Sequence, residues 1–369
     1  MDLVAWCDLY LPAIYNPGLF DDEETTDEVW DTVSQMIDAM HVDDETKESL
    51  LDTAGDWFRS LRDLEINSLE PVQTAQIEAI LQTPQTVQHS ADWYTQRKNR
   101  LTASEFYQIL TGSRERLLKT KLESQGDRPA MSPVALAQPD GEMVATSWGH
   151  RFEPVVRDIY ELETGSTVFD RLGRFTHREL KWLSASPDGI VTKGPSTGRL
   201  IEIKAPKNRQ PGTYVPAEYY VQMQVQMEVT DLEAVDFIEA QFDQVLVYSA
   251  VHEVEPVESV EPVESESEGA WTGQINVYGV IEDPTSWSYV YSKPVKSRAE
   301  IVMPLPHSDL PLLESSVWTL KAWFPRTVLR NRTWWDTVGR PEAETFWAEV
   351  LSRREIPSET IEHVGWLGT

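Results

Sequence analysis

The chain has 369 residues, a single cysteine and a formal net charge of −29. The lone Cys7 excludes an internal disulfide framework and any cluster or zinc ribbon held by several thiolates, and it suits a reducing, intracellular setting. No uncharged apolar run reaches the roughly 18 residues of a membrane span, and Met1–Phe20 lacks the basic start of a secretory leader.

The charge is unevenly placed. Residues 1–90 carry 3 basic and 20 acidic residues, and 241–285 carry 10 acidic residues and no basic one. Residues 91–240 hold 19 basic and 21 acidic residues, and 286–369 hold 10 of each. The overall sign therefore does not exclude a nucleic-acid partner, because local charge governs binding.

In chain order, Val29, Val33, Met36, Ile37 and Met40 recur at three- and four-residue spacing, which predicts a helix. A second stretch runs through Leu50, Leu51, Ala54, Trp57, Phe58 and Leu61, and a third from Pro71 to Leu81. Together they make residues 1–88 an acidic helical N-terminal region. Pro84 and its polar neighbours mark a boundary near 83–90, after which 89–369 forms the main domain. Trp93–Leu110 has helical spacing with a basic start, and Thr102 or Ser104 can cap a helix whose free N–H groups suit a phosphate. Ser147–Tyr160 reads as a helix with an apolar stripe of Phe152, Val156, Ile159 and Tyr160, and Glu153 lies at its edge.

Residues 183–204 are the most informative. Leu183–Val191 and Arg199–Lys204 are β-rich runs joined by a Gly/Pro turn, which predicts a hairpin. Alternation puts Ile201 and Ile203 on one face and Glu202 and Lys204 on the other. Asp188 can approach Glu202 across the pair. Two carboxylates and an ammonium so placed would hold a hard divalent cation near a phosphate. An Asp followed by Glu-x-Lys is weak and common by itself, and taken alone it reads as an exposed cross-strand ion pair.

Tyr219–Met227 reads as a further helix. Gln222 and Gln226 share one face, with Gln226 expected to be solvated. The hexapeptide Val254–Ser259 repeats at 260–265, so 253–268 reads as an extended acidic loop. In the Trp-rich C-terminal part, 271–369, Ile275–Ile281 and Ser288–Tyr291 read as strands. Trp323–Arg326 and Arg330–Trp335 interleave basic and aromatic residues. That pattern suits single-strand binding, but the expectation favoured here is that the tryptophans fill the core of a helical lid.

Five segments in order resemble the phage lambda exonuclease and YqaJ-type viral recombinase family, a branch of the PD-(D/E)xK nucleases. They are Trp93-x3-Arg97 with Leu101-Thr102-Ala103-Ser104, Trp148-Gly149-x3-Glu153, Ser186-Pro187-Asp188-Gly189, Glu202-Ile203-Lys204, and Tyr219-x2-Gln222-x-Gln224. The resemblance covers about 92–240. It implies an α/β fold, a restriction-endonuclease-like core with a central mixed β-sheet flanked by helices, to which the N-terminal region is added. It also implies a Mg²⁺- or Mn²⁺-dependent nuclease that degrades duplex DNA from 5′ ends in recombination, repair or viral genome processing. Asp188, Glu202 and the Ile203 carbonyl match the metal ligands, Lys204 the catalytic lysine, and Glu153 a glutamate that supports the metal-bound water or a second cation. Gln222 matches a glutamine at the edge of the site. Arg97 and Ser104 match residues that grip a terminal 5′ phosphate, with Arg100 a further candidate for DNA contact. A single-strand annealing partner is implied, and the assembly is either a monomer or a ring. Some relatives carry an additional acidic residue, for which Glu179 is the nearest candidate. An endonuclease, an RNA-acting nuclease and a non-catalytic nucleic-acid-binding module remain the alternatives.

Overall fold

The computed structural model describes residues 23–69, 74–88, 90–97, 99–122, 143–212, 214–251, 269–306 and 309–355, with Leu3, Trp6, Cys7, Leu11 and Val72. The acidic repeat and Lys98 lie outside the described residues.

Helices α1 (Glu23–Asp38) and α2 (Asp44–Ser68) pair through a core of their own. Val29, Val33 and Ile37 meet Leu50, Ala54 and Phe58, and Trp6, Cys7 and Leu11 complete the cluster. Asp43 caps α2 by accepting the Thr46 N–H at 2.8 Å. Helix α3 (Thr74–Gln82) instead sends Ile77 and Ile80 into the main core. It therefore packs with the rest of the chain, although the sequence boundary groups it with the N-terminal region.

Helix α4 (Ala91–Arg97) ends before a two-residue strand β1 (Leu101–Thr102), a four-residue helix α5 (Ala103–Phe106) and a 3-10 turn to Leu110. The single helix expected over 93–110 is thus broken, because Leu101 and Thr102 pair in parallel with Leu183 and Ser184. Helix α6 (Arg114–Leu122) follows, then α7 (Ala145–Thr164), which stops at Gly165 in the left-handed region (φ 66). Glycine adopts that conformation without steric cost.

The short strands β2 (Thr167–Phe169), β3 (Phe175–Thr176) and β4 (Leu183–Ala185) lead into β5 (Gly189–Lys193) and β6 (Leu200–Lys204). The expected hairpin is confined to β5 and β6, which pair antiparallel. Strand β4 belongs to a separate three-stranded sheet, β1-β4-β3. Ser186, Pro187 and Asp188 thus bridge two sheets.

Helix α8 (Ala217–Thr230) precedes the long strand β7 (Ala234–Ser249). Strands β8 (Thr272–Val280), β9 (Asp283–Tyr291) and β10 (Leu312–Leu329) complete a seven-stranded sheet in the order β2-β5-β6-β7-β10-β8-β9. Its β6–β7 pair is parallel and its other pairs are antiparallel. Trp323–Arg326 therefore lie in β10 rather than in a helical lid. Arg332–Trp334 and a π-turn through Gly339 lead into α9 (Arg340–Glu355). There Trp335 is buried beside Phe346 and Trp347, so this part does fill a core.

The large sheet has a core on each face. On one, α7 sets Phe152, Val156 and Ile159 against Ile201, Ile203, Ile238 and Phe242, and the Phe152 and Phe242 rings stack at 4.4 Å. On the other, Leu200, Val235 and Phe237 meet Met223 and Met227 of α8. No helix among the described residues is long and apolar enough to cross a membrane.

Candidate functional site

Burial of Ile201 and Ile203 against α7 forces Glu202 and Lys204 to the opposite side of β6. Glu202 is 1% exposed. Its Oε1 accepts from Gln222 Nε2 at 2.7 Å, and its Oε2 accepts from Gln226 Nε2 at 2.6 Å. The Lys204 ammonium also donates to Oε1. Four-residue spacing on α8 aims both glutamines at one carboxylate. Gln226 is therefore buried and bonded, contrary to the solvated position expected of it.

Asp188 stands at the entry to β5. Its Oδ2 accepts the Ile203 N–H at 2.8 Å, which fixes it beside Glu202. The next residue must be small, since a Cβ on Gly189 would come within 2.6 Å of the Val168 side chain. Glu153 approaches from α7. Burial pushes the Asp188 carboxyl well above the usual range, and the Glu202 and Glu153 charges add to that. Burial and Glu202 likewise raise Glu153. Burial would depress the Lys204 ammonium, but the Glu202 and Asp188 carboxylates reverse this and raise its pKa.

Asp188 and Glu153 border three cavities. One of about 550 Å³ is lined by Lys204, Lys207, Arg209, Tyr219 and His150. A second of about 670 Å³ is walled by Gln85, Val87, Gln88, Arg171 and Leu172. The third, of about 180 Å³, is lined by Trp93, Arg97, Ser104, Arg174, Gln222 and Gln226.

The donor set fits a hard cation. Two carboxylates, a nearby strand carbonyl and Glu153 are oxygen donors of the kind Mg²⁺ or Mn²⁺ takes. After burial, their mutual negative charge, opposed at close range by Lys204, raises Asp188 and Glu153 further. Among the described residues no group of three or more Asp, Glu, His or Cys side chains is placed to hold a metal ion by itself. An open site that completes its shell with water and substrate oxygen has that character. Glu202 Oε2 keeps a second acceptor position beside its bond from Gln226.

Sequence reasoning placed Asp188, Glu202, Lys204, Glu153, Gln222, Arg97 and Ser104 around this centre, and the fold brings them together. Arg97 also donates to Glu105 at 3.0 Å, and Ser104 is exposed at the cavity rim. Arg100 does not line the small cavity. It donates to Thr176 Oγ1 at 2.8 Å and to the Lys181 carbonyl at 2.9 Å. Thr102 caps the next helix, as expected. Helix α5 has four residues, and Glu105 already accepts the Thr102 N–H at 3.2 Å. Glu179 pairs with Arg340 at 3.3 Å on the surface, away from the cluster. Lys207 donates to the Met143 carbonyl, Arg209 to Glu239, and Arg330 to Glu228 and Asp231.

His150, Gln88 and Arg174 were not anticipated. Gln88 Nε2 donates to the carbonyls of Leu172 (3.1 Å) and Pro187 (3.4 Å), so a residue just before α4 steadies the Asp188 segment. No local pattern marks it. Arg174 belongs to the run Arg171, Arg174, Arg178, and its spacing alone does not single it out.

Residues 92–233 match the YqaJ-like viral recombinase domain. Uncharacterized protein R354 of Acanthamoeba polyphaga mimivirus is 25% identical over 193 residues, which cover 47% of this chain and 32% of the relative. The aligned part is thus about a third of that curated relative's length. Among solved structures, an alkaline exonuclease from Laribacter hongkongensis is similar at 19% identity and a TM-score of 0.42, covering 74% of this chain and 98% of that one. A phage-related exonuclease from Haemophilus somnus is similar at 12% identity and a TM-score of 0.36, covering 69% and 96%. The matched segment, 92–233, contains every residue of the acidic centre.

Proposed function

We propose that the chain is a divalent-cation-dependent deoxyribonuclease that hydrolyses phosphodiester bonds from the 5′ ends of duplex DNA. The observation that carries this is that Asp188 and Glu153 border all three cavities, with Glu202 and Lys204 close enough to act on the Asp188 charge. Asp188, Glu202 and the Ile203 carbonyl would hold Mg²⁺ or Mn²⁺, which supplies Lewis-acid polarisation of the phosphoryl oxygens when bound.

Each side chain then has a task. Lys204 stays protonated beside two carboxylates, so it is no base at neutral pH; it orients the attacking water and offsets charge developing on the phosphoryl group. Glu153, on the facing helix, accepts a hydrogen bond from that water. Gln222 and Gln226 lock the Glu202 rotamer. Arg97 and Ser104, in the small cavity, hold the terminal phosphate and so set where the strand begins. Recombination, repair or viral genome processing inside a host cell is the setting proposed, with a single-strand annealing protein as partner.

The test is digestion of a linear 5′-phosphorylated duplex with and without Mg²⁺, beside a 5′-hydroxyl duplex, a closed circle and an RNA duplex. Mg²⁺-dependent loss of linear DNA alone, faster from phosphorylated ends, is the expected result. A second reading, an endonuclease, is favoured by the two large cavities bordering Asp188, which could let a strand run on past the acidic centre. Cleavage of the closed circle would establish it in place of the exonuclease.

A further inference from the structure

The register of the large sheet carries the face of the acidic centre onto β10. Glu202 pairs with Phe237, and Phe237 with Arg326. Lys204 pairs with Glu239, and Glu239 with Phe324. Directly opposed residues share a face, so Phe324 and Arg326 stand on the face that bears Glu202 and Lys204. Ile203 and Ile238, on the rung between, turn to the α7 side. Two strand spacings, about 10 Å, separate β10 from β6. Strand β10 lies outside the segment 92–233.

Aromatic rings and cations lie along these rungs. The Lys204 ammonium sits over the Tyr219 ring at 4.9 Å, and the Arg209 guanidinium over the same ring at 5.8 Å. The Tyr219 and Phe237 rings are 5.8 Å apart. The Arg326 guanidinium sits over Tyr214 at 5.7 Å. Glu239, the carboxylate among them, is answered by Arg209 and by the Gly212 N–H at 3.3 Å. Tyr214, Tyr219 and Arg326 are half-buried, and Phe324 is 38% exposed.

A single exposed apolar ring is ordinary on a protein surface. This one has a place that calls for more. Further along β10, Val328 is buried in the core shared with α8, and the Leu329 carbonyl accepts from Gln224 of α8 at 2.8 Å. The helix thus covers one end of this face and leaves Phe324 open, on the rung of Lys204.

We propose that Tyr219, Tyr214, Arg326 and Phe324 form a binding track for single-stranded DNA, which runs from Lys204 across β7 onto β10. Bases stack on the open rings while Arg326 holds a phosphate between them, the division of labour that suits an unpaired strand. Every base has a π-face, so the track is tolerant of sequence. A paired duplex keeps its bases stacked on one another and offers the rings nothing. That the strand is DNA rests on the function proposed above; the stacking face itself does not.

The test is fluorescence anisotropy with a labelled oligothymidylate of about 20 nucleotides, long enough to fill such a groove, in EDTA across a series of salt concentrations. A duplex of equal length runs beside it. The chain should bind the single strand more tightly than the duplex. Phe324→Ala should weaken single-strand binding about tenfold and leave its salt dependence unchanged. Phe324→Leu keeps the apolar bulk without the π-face and should weaken binding as much, whereas Phe324→Trp should preserve it. Arg326→Gln should weaken binding and flatten the plot of log affinity against log salt by about 0.7, one phosphate contact. Parental affinity in folded Phe324→Leu and Arg326→Gln overturns the track. So does a parent that binds no single strand, or that binds the duplex equally well. A chain that follows these expectations but digests no DNA would sink the nuclease reading and leave the track standing. Digestion of linear duplex, with binding unaltered in the variants, would do the reverse.

Discussion

The chain holds two buried acidic centres, one around Glu105 and one around Asp188, and treats them differently. Glu105 is neutralised from within: Lys121 donates to it at 2.7 Å, Arg97 at 3.0 Å and the Thr102 hydroxyl at 2.7 Å. Burial opposes its charge, but Lys121 and Arg97 more than reverse that and lower its pKa. Asp188 and Glu153 face Glu202 with Lys204 as the near cation, and their pKa values rise. One centre is closed and serves the fold. The other gathers three carboxyl groups around one near cation, and the proposed function assigns it a bound metal ion.

The largest expected effect breaks the open centre. Glu202→Gln or Lys204→Ala should lower the rate on a linear duplex by at least about a hundredfold, as loss of a group that stabilises developing charge does. Circular dichroism should report both variants folded. Activity retained within a few-fold would remove these residues from the chemistry.

Breaking the closed centre should instead cost stability. Glu105→Ala leaves Lys121, with a side chain 1% exposed, without its carboxylate. Removing one partner of a buried pair costs about 3–5 kcal/mol. Urea unfolding should show that loss with the slope unchanged, and a loss below about 1 kcal/mol would mean that Lys121 finds water.

What could be read in advance separates along similar lines. Glu202 and Lys204 were legible because strand alternation is local, and so was the pairing of Gln222 with Gln226, although not its burial. The break in 93–110 was not legible, because β1 exists by pairing with residues more than 80 positions away. Strand β10 was obscured by Pro325 and by an apolar run that fits helix or strand equally; its ladder with β7 decides. Arg174 depends on a bridge to Thr86, and periodicity carries no information about such a contact.

Glu228 extends the closed class. Its neighbour His177 accepts the N–H groups of Glu179 and Leu180 at Nδ1, so Nε2 carries the proton and faces Glu228 at 3.3 Å. Burial disfavours the Glu228 charge, but His177 and Arg330 hold its pKa at about 2, below the ordinary 4.5. A carboxyl lowered in the folded state contributes stability that is complete above its unfolded value. That contribution is lost as the pH falls from about 4.5 through about 2. Allowing for solvent screening, it amounts to about 2 kcal/mol. Chemical unfolding should therefore find Glu228→Gln less stable than the parent at pH 6, with the gap narrowing towards pH 2. A gap that is constant with pH would assign the loss to packing.

The smallest effect has the opposite sign and sharpens the contrast most. A raised carboxyl disfavours the folded state wherever it is ionised, so Asp188→Asn should relieve repulsion while its amide oxygen still accepts the Ile203 N–H. In EDTA at neutral pH the variant should be more stable than the parent by about 1 kcal/mol. Millimolar Mg²⁺ should then raise the melting temperature of the parent and leave the variant nearly unmoved, since a ligand stabilises only the state that binds it. The order of the two melting temperatures should invert between the two solutions. If Asp188→Asn is the less stable protein in EDTA, or if Mg²⁺ shifts both equally, the charge at this centre is balanced within the chain, and the distinction from Glu105 fails.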